Sequence, residues 1–111
     1  MQVKEVAEKL GLKILSAGAD QEVLSGYVSD LLSDVIANAE EGCLWITMQR
    51  HLNVIAVAQL KKLAGIIISR GIEPEAAVLE RAKQEGMFVL SAQADSFNTA
   101  GRLFALISAP K

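Results

Sequence analysis

The segment from Ile46 to Asn53, ITMQRHLN, changes from apolar to polar within a few positions and contains the only histidine of the chain. A histidine can act as an acid–base catalyst, a metal ligand or a pH-sensitive hydrogen-bonding group. The sequence has no second histidine, and Cys43 is its only cysteine, so the usual partners of a metal site or a cysteine–histidine pair are missing. We therefore interpret His51 as a hydrogen-bonding or pH-sensitive group and predict no catalytic residue and no metal site.

Other polar residues follow the strands that the sequence predicts. In open α/β sheets, ligands bind beyond the carboxyl ends of the parallel strands, where loops and helix N-termini meet. Arginine side chains there can form charge-assisted hydrogen bonds with a phosphate or a carboxylate. The residues predicted at these strand ends are Ser29, Asp30, Thr47, Gln49, Arg50, His51, Ser69, Arg70 and Ser91, with Gln93 close by.

Each of these residues also has a purely structural interpretation. Serine, threonine, asparagine and aspartate are the residues that helix caps and turns select. Asp30 and Asp34, four positions apart, are predicted on one helix face, where they could bind a metal or act as an acid–base pair. We favour the alternative that both carboxylates complement the dipole near the helix N-terminus.

Short apolar runs alternate with segments of helical periodicity in the second part of the chain. The runs CLWITM, GIIIS and MFVLS are nearly continuous in apolar residues, as expected of strands buried on both faces. Between and after them, apolar residues recur at helical spacing. We predict a helix over NVIAVAQLKKLA capped by Asn53, a helix over EPEAAVLERAKQ with Pro74 in its first turn and Gly86 at its end, and a last helix begun by Asp95 or Ser96.

The last predicted helix carries an apolar stripe formed by Phe97, Ala100, Phe104 and Ile107. Gly101 lies within this helix, where glycine costs about 1 kcal/mol relative to alanine. We interpret Gly101 as a position that allows close packing against the sheet or a second subunit.

The first third of the chain predicts a helix that ends at Gly11, a strand KILS, a strand close to VLSGYVS and a helix DLLSDVIANA that ends at Gly42. Together with the later alternation of strands and helices, this order requires right-handed crossovers. The predicted fold class is α/β, with a mostly parallel sheet of about five strands flanked by helices, in a single domain over residues 1–111.

Composition excludes several classes of protein. The 111 residues carry 11 basic and 13 acidic side chains, which leaves no basic stripe for nucleic-acid binding. No apolar run approaches the ~20 residues that span a bilayer, and the N-terminal segment lacks the apolar core of a signal peptide. We therefore expect a cytoplasmic protein with no membrane and no nucleic-acid partner, in which Cys43 is a buried, inert thiol.

Catalytic and nucleotide-binding motifs are also missing from the sequence. It contains neither the GxxxxGK[ST] phosphate loop nor a GxGxxG segment after a strand. It contains no HExxH, CxxC or GxSxG either. An enzyme that combines His51 with Asp30 or Asp34 remains an alternative, but we expect no enzyme and no bound cofactor.

Three segments, DQEVLSGYVSDLLSD over residues 20–34, EGCLWITMQRH and LAGIII, resemble the DRTGG domain, and the resemblance covers nearly the whole chain. This family includes stand-alone proteins and regulatory inserts between CBS domains of some pyrophosphatases, and is related to the N-terminal domain of HPr kinase/phosphorylase. The resemblance implies a Rossmann-like α/β sandwich that dimerises and acts as a regulatory or ligand-sensing module. Kinase activity is not implied, because it belongs to a separate phosphate-loop domain.

The family's naming motif is degenerate in this chain. Asp20 matches the aspartate and Gly26 the last glycine, whereas Gln21 replaces the arginine. Leu24 stands where threonine is common, and Ser25 replaces the first glycine. Gly26, within a predicted strand, indicates a bulge or a close backbone approach and joins the predicted ligand-contacting residues.

The resulting functional hypothesis is a non-catalytic regulatory domain, expected to be a homodimer, that senses a nucleotide or another small anionic ligand at the carboxyl edge of the sheet. The alternative is an adaptor that binds a protein partner and no small molecule. Such a surface would include the exposed face of the first or last helix and Trp45 or Tyr27, although burial in the core is the simpler expectation for both aromatic residues.

Overall fold

A computed structural model describes residues 1–110 of the chain, which form one five-stranded sheet with helices on both faces. The sheet order is β1-β5-β4-β3-β2. The strands are β1 (Lys13–Ser16), β2 (Ser25–Val28), β3 (Cys43–Thr47), β4 (Gly65–Ile68) and β5 (Val89–Ser91). The helices are α1 (Val3–Leu10), α2 (Leu32–Asn38), α3 (Asn53–Leu60), α4 (Ala76–Glu85) and α5 (Ser96–Ser108).

Strands β2 to β5 are parallel, and β1 pairs antiparallel with β5 at one edge. This confirms the predicted α/β fold with a mostly parallel, five-stranded sheet. The antiparallel pair is irregular, because its register shifts between Ile14 and Ser16. Strand β2 forms the other edge of the sheet.

The two faces of the sheet bury separate apolar cores. Helices α2, α3 and α4 cover one face, where Val35, Val54 and Val78 pack with Trp45. Helices α1 and α5 cover the opposite face, which includes Leu103 of α5. Strands that are covered on both sides carry apolar residues continuously, and all residues of β3 and β4 are buried.

Trp45 and Cys43 belong to the core, and Tyr27 packs against it. Trp45 is fully buried, and its Nε1 donates to the Ser29 carbonyl oxygen at 2.8 Å. Tyr27 is half-buried against the same core. Cys43 is buried, as predicted, and burial raises the pKa of its thiol to about 11. Neither Trp45 nor Cys43 is therefore accessible to a partner.

Several predicted helix ends are shifted in the structure. Gly11 and Gly86 end α1 and α4 in the left-handed conformation, as predicted. Asn53 is not a cap but the first residue of α3, since Leu52 before it already has helical angles. Pro74 precedes α4, because Glu75 is extended and the helix begins at Ala76.

Helix α2 also ends earlier than predicted. Its last residue is Asn38, and Ala39 is extended, so Gly42 does not end the helix. Gly42 instead forms the turn into β3 with a φ of 84°. Its carbonyl oxygen accepts from the Leu24 backbone N–H at 3.0 Å, which ties the turn to the segment before β2.

The apolar stripe predicted for α5 is divided between core and surface, because Ala100 and Ile107 pack against the core but the two phenylalanines do not. Thr99 and Leu103 are the buried residues of this helix, whereas Phe97 and Phe104 are 84% and 71% exposed. A Cβ atom at Gly101 would meet nothing within 4 Å, so Gly101 makes no close contact with the sheet. The stripe is real, but Phe97 and Phe104 point away from the layer that α5 covers.

Candidate functional site

The carboxyl ends of β2 and β3 are joined by hydrogen bonds to Asp30. Its Oδ1 accepts from the Thr47 hydroxyl at 2.8 Å and from the Met48 backbone N–H at 2.6 Å. Its carbonyl oxygen accepts from Gln49 Nε2 at 2.7 Å, and the Gln49 backbone N–H donates to Thr47 Oγ1 at 3.0 Å. Asp30, Thr47 and Gln49 are thus brought together as predicted, but they bond to each other.

Asp30 and Asp34 do not form a pair on one helix face. Helix α2 begins at Leu32, so Asp30 lies in the preceding loop. Asp34 instead accepts from the Tyr27 hydroxyl at 2.9 Å and from Asn38 Nδ2 at 2.9 Å. Hydrogen bonds from Ser29 and Tyr27 lower the pKa of Asp34, and the bond to Asp34 raises the pKa of Tyr27. These contacts leave no shared metal or acid–base site.

Arg50 and His51 link the loop after β3 to the loop after β4. Arg50 Nε donates to the Glu73 carbonyl oxygen at 2.8 Å. His51 Nδ1 lies 3.0 Å from Glu75 Oε1, and both side chains are largely exposed. This arrangement agrees with the interpretation of His51 as a hydrogen-bonding group.

Ser69, at the end of β4, is fully buried and engaged with the start of α5. Its Oγ lies 2.7 Å from Ser96 Oγ. Asp95 caps α5 by accepting from the Asn98 backbone N–H at 2.8 Å, which confirms the predicted start of this helix. The carboxylate of Asp95 therefore occupies the position that an anion would take at this helix N-terminus.

Two predicted residues keep free side chains at the carboxyl edge. Within residues 1–110, neither the Arg70 guanidinium nor the Ser91 hydroxyl forms a hydrogen bond or an ion pair. Ser91 lines a cavity of about 220 Å³ together with Lys13, Gly71, Glu73 and Gln93. The residues completing its lining are Leu15, Ile72, Pro74 and Leu79.

This cavity adjoins a switch point in the topology. The chain leaves β4 toward α4 on one face of the sheet and leaves β5 toward α5 on the other. Ligands of open α/β sheets bind where neighbouring connections diverge in this way. Backbone bonds hold the two loops together here, from Arg70 N–H to Ala94 O and from Gly71 N–H to Ala92 O, both at 2.8 Å.

Arg70 has a backbone conformation that is unusual for its residue type. Its φ is 63°, in the left-handed region, and the next residue, Gly71, has a φ of 64°. Such a conformation costs a non-glycine residue about 1 kcal/mol or more and is found preferentially at functional sites. Arg70, with its free guanidinium, thus occupies a backbone conformation that glycine would adopt without strain.

Lys13 was missed by the sequence analysis. Strand β1 runs antiparallel to β5, so Lys13 pairs with Ser91 and its position coincides with the carboxyl end of β5. If β1 were parallel to the other strands, Lys13 would lie at the amino edge of the sheet, away from Ser91. No short-range pattern in the sequence indicates the direction of β1.

The residues that match the DRTGG motif have structural contacts. Asp20 Oδ1 accepts from the Lys4 backbone N–H at 3.2 Å, in the first turn of α1. Gly26 lies in regular register opposite Leu44, so the predicted bulge is absent. The close approach is real, because a Cβ atom at Gly26 would lie 2.8 Å from Leu103 Cδ2 of α5.

No group of three histidine, cysteine, aspartate or glutamate side chains is placed to hold a metal ion within residues 1–110. None of the helices in this range has the length and hydropathy needed to cross a bilayer.

Comparisons with known proteins point to one family. A search of curated protein sequences finds no match. Among solved structures, the fold is similar to the CBS and DRTGG domains of the regulatory region of Clostridium perfringens pyrophosphatase, complexed with its activator diadenosine tetraphosphate, with a TM-score of 0.69 and 20% sequence identity. The match covers 91% of this chain and 44% of the pyrophosphatase chain, so this protein spans less than half of its neighbour's length.

The family model of the DRTGG domain matches residues 5–106. This range contains all five strands, the whole of α2, α3 and α4, and most of α1 and α5. In the pyrophosphatase, the DRTGG domain is part of a regulatory region. The chain belongs to the DRTGG domain family.

Proposed function

We propose that this domain is a non-catalytic regulatory module that senses a small anionic ligand, with a nucleotide as the first candidate class. The proposal is supported by membership of the DRTGG family and by the nucleotide activator bound to the similar regulatory region. It places the domain in the cytoplasm, where the free thiol of Cys43 stays reduced, and it includes assembly as a homodimer.

One observation carries the choice of site: free Arg70 and Ser91 flank the switch point between β4 and β5. The other predicted ligand-contacting side chains either bond to protein groups or lack polar atoms. Lys13, Ser91 and Gln93 line the cavity and offer a positive charge and hydrogen-bond donors. Arg70 is not part of the lining but precedes Gly71, which is, and offers a second positive charge beside it. We propose that this group, with Gly71 allowing close approach of the backbone, binds the phosphate or carboxylate group of the ligand.

The size of the cavity limits what it can enclose. Its volume of about 220 Å³ is below the ~300–1,000 Å³ of pockets that bury a drug-sized ligand. A phosphate group fits, whereas a whole nucleotide extends beyond the cavity. Glu73 in the lining favours a ligand that also offers a donor or a bound cation next to its anionic group.

Isothermal titration calorimetry with ATP, AMP, diadenosine tetraphosphate and inorganic phosphate tests the proposal. We expect saturable binding of at least one of them to the wild-type domain. Arg70→Gly removes the guanidinium and relieves the left-handed strain, so binding falls at least tenfold while the melting temperature stays the same or rises. Arg102→Ala, which removes an exposed arginine of α5, is the matched control.

Two results would contradict the ligand-sensing proposal. One is the absence of binding at millimolar concentrations of all four compounds. The other is binding that Arg70→Gly and Lys13→Ala leave unchanged, which would place the ligand elsewhere on the domain.

A protein-binding adaptor is the second candidate function. The observation that favours it is the exposure of Phe97 and Phe104 on α5, which form an apolar surface without a partner within the described chain. Since an adaptor needs no small-molecule site, it predicts that none of the four compounds binds in the calorimetric titration.

A further inference from the structure

We propose that the outer stripe of α5, formed by exposed Phe97, Gly101 and Phe104 with half-buried Ala100 at its border, binds the same stripe of a second copy of this chain. The two helices would run antiparallel, related by a two-fold axis between Ala100 and Gly101. This inference rests on the homodimer proposed above and assigns its interface. It does not depend on the identity of a ligand.

Two large apolar side chains of the stripe are exposed to solvent. Phe97 is 84% and Phe104 71% exposed. An aromatic side chain carries about 150–250 Å² of surface, so these two expose roughly 300 Å². A patch of this size reaches the ~300–600 Å² of the largest apolar patch on a typical monomer, and such patches are often functional.

The spacing of the stripe is symmetric along the helix. Phe97 and Phe104 lie seven residues apart, which is nearly two full turns, so both point to the same side of α5. The midpoint between them falls between Ala100 and Gly101. In an isologous contact, when one residue contacts a second residue of the partner subunit, that second residue contacts the first in return. Phe97 therefore lies opposite Phe104 of the partner subunit, and Phe104 opposite Phe97 of the partner subunit.

Small side chains at the centre permit this arrangement. Ala100 and Gly101 are the residues nearest the proposed axis, where two helices approach most closely. A Cβ atom at Gly101 meets nothing within 4 Å in the isolated chain. Packing within the subunit therefore does not require a glycine at this position, although glycine destabilises a helix by about 1 kcal/mol relative to alanine.

A groove beside the stripe can accept an aromatic ring. It has a volume of about 160 Å³ and an apolar lining that includes Gly26, Val28, Phe104 and Ile107. An apolar cavity of about 150 Å³ is known to hold a benzene molecule. A phenylalanine of the second copy therefore fits between the exposed edge strand β2 and α5.

The charges of α5 favour a copy of itself over a charged partner. Arg102 is the only charged side chain between Ser96 and Ser108. It lies about 140° around the helix from Phe97, so it is not on the stripe. Any charge near a two-fold axis would face an identical charge, and the stripe carries none.

The area predicts a weak dimer. The phenylalanines of two copies supply roughly 600 Å², which is half of the ~1,200 Å² at the lower limit of specific interfaces. Val28 is 49% exposed and adds apolar surface from the adjacent strand. We therefore expect a monomer–dimer equilibrium that depends on protein concentration.

Sedimentation equilibrium of the full chain at several concentrations tests the interface. Wild type is expected to be dimeric at high concentration, and both Phe97→Glu and Phe104→Glu to be monomeric with unchanged circular dichroism. Leu60→Glu is the matched control, because Leu60 is 65% exposed on α3, which covers the opposite face of the sheet. A monomeric wild type would overturn both the homodimer and its interface. A dimer that survives both phenylalanine variants, or an open series of larger assemblies, would overturn the interface alone.

Disulfide cross-linking tests the position of the axis. Gly101→Cys lies next to the axis and is expected to form a covalent dimer under mild oxidation, since a disulfide requires Cα atoms about 4.4–6.8 Å apart. Arg102→Cys, one position along the helix and turned away, is expected to remain uncoupled. Buried Cys43 does not compete. Equal cross-linking of the two variants would contradict the proposed axis.

Discussion

The carboxyl edge of the sheet and the outer stripe of α5 differ in how fully their side chains are partnered. At the edge, Asp30, Thr47 and Ser69 each bond to another protein group at 2.8 Å or less. On the stripe, two phenylalanines remain exposed to solvent. Polar side chains at the edge can satisfy one another within the fold, whereas an apolar side chain on an outward helix face gains nothing until another surface covers it.

The comparison implies that most edge residues maintain the fold and that the stripe does not. Variants at the edge should therefore change the free energy of unfolding, and variants on the stripe should leave it unchanged.

Asp30→Ala should have the largest effect. It removes the acceptor of the Thr47 hydroxyl and of the Met48 N–H, and Thr47 is fully buried. A buried group that loses a charged partner costs about 3 kcal/mol. Urea denaturation of Asp30→Ala should show this decrease in the free energy of unfolding, while Glu41→Ala, at an exposed acidic residue, should change it by less than about 0.5 kcal/mol. Equal values for the two variants would contradict the structural role of Asp30.

Ser69→Ala should have an intermediate effect. It removes the hydrogen bond to Ser96 across the junction of β4 and α5, which is worth about 1 kcal/mol. In a double-mutant cycle with Ser96→Ala, the second substitution should add little to the first, because both remove the same bond. Full additivity of the two losses would show that the hydroxyls do not interact.

Asp34 should make a smaller, pH-dependent contribution. Hydrogen bonds from Ser29 and Tyr27 lower its pKa in the folded state, so its contribution is present above the unfolded pKa of about 3.9 and is lost as the pH falls through the folded pKa. Asp34→Asn should weaken the loss of stability below about pH 4, measured by thermal unfolding as a function of pH. An unchanged acid limb would contradict this assignment.

Phe97→Ser should have the smallest effect on folding. Because Phe97 is exposed and its helix is held by Thr99 and Leu103, the free energy of unfolding of the monomer should change by no more than about 0.5 kcal/mol. Urea denaturation at low protein concentration measures this value without a contribution from self-association. A loss above 1 kcal/mol would mean that Phe97 packs within its own subunit.

Much of the fold can be predicted from the sequence because periodicity reports burial directly. The continuous apolar runs CLWIT and GIII identify strands covered on both faces, and Gly11 and Gly86 identify two helix ends. The stripe of α5 shows the limit of this approach. Helical spacing reveals that Phe97 and Phe104 share a side, but which side faces the sheet depends on where α5 crosses it.

The site is less predictable for a similar reason. The sequence identifies polar residues at strand ends, but whether each one is free depends on neighbours distant along the chain. Thr47 meets Asp30 across 17 positions, and Ser69 meets Ser96 across 27. The direction of β1, which brings Lys13 beside Ser91, is set by pairing between opposite ends of the chain.

The strand order has a consequence for folding during synthesis. Strands β2, β3, β4 and β5 are neighbours in space in the order in which the ribosome produces them. Each new strand and its crossover helix can therefore add to an existing edge, with short loops to close. Only β1 and α5 connect distant parts of the chain, so the α5 face of β2 and β3 stays open until the last helix emerges. We expect cooperative stability to appear only when α5 has left the ribosomal tunnel.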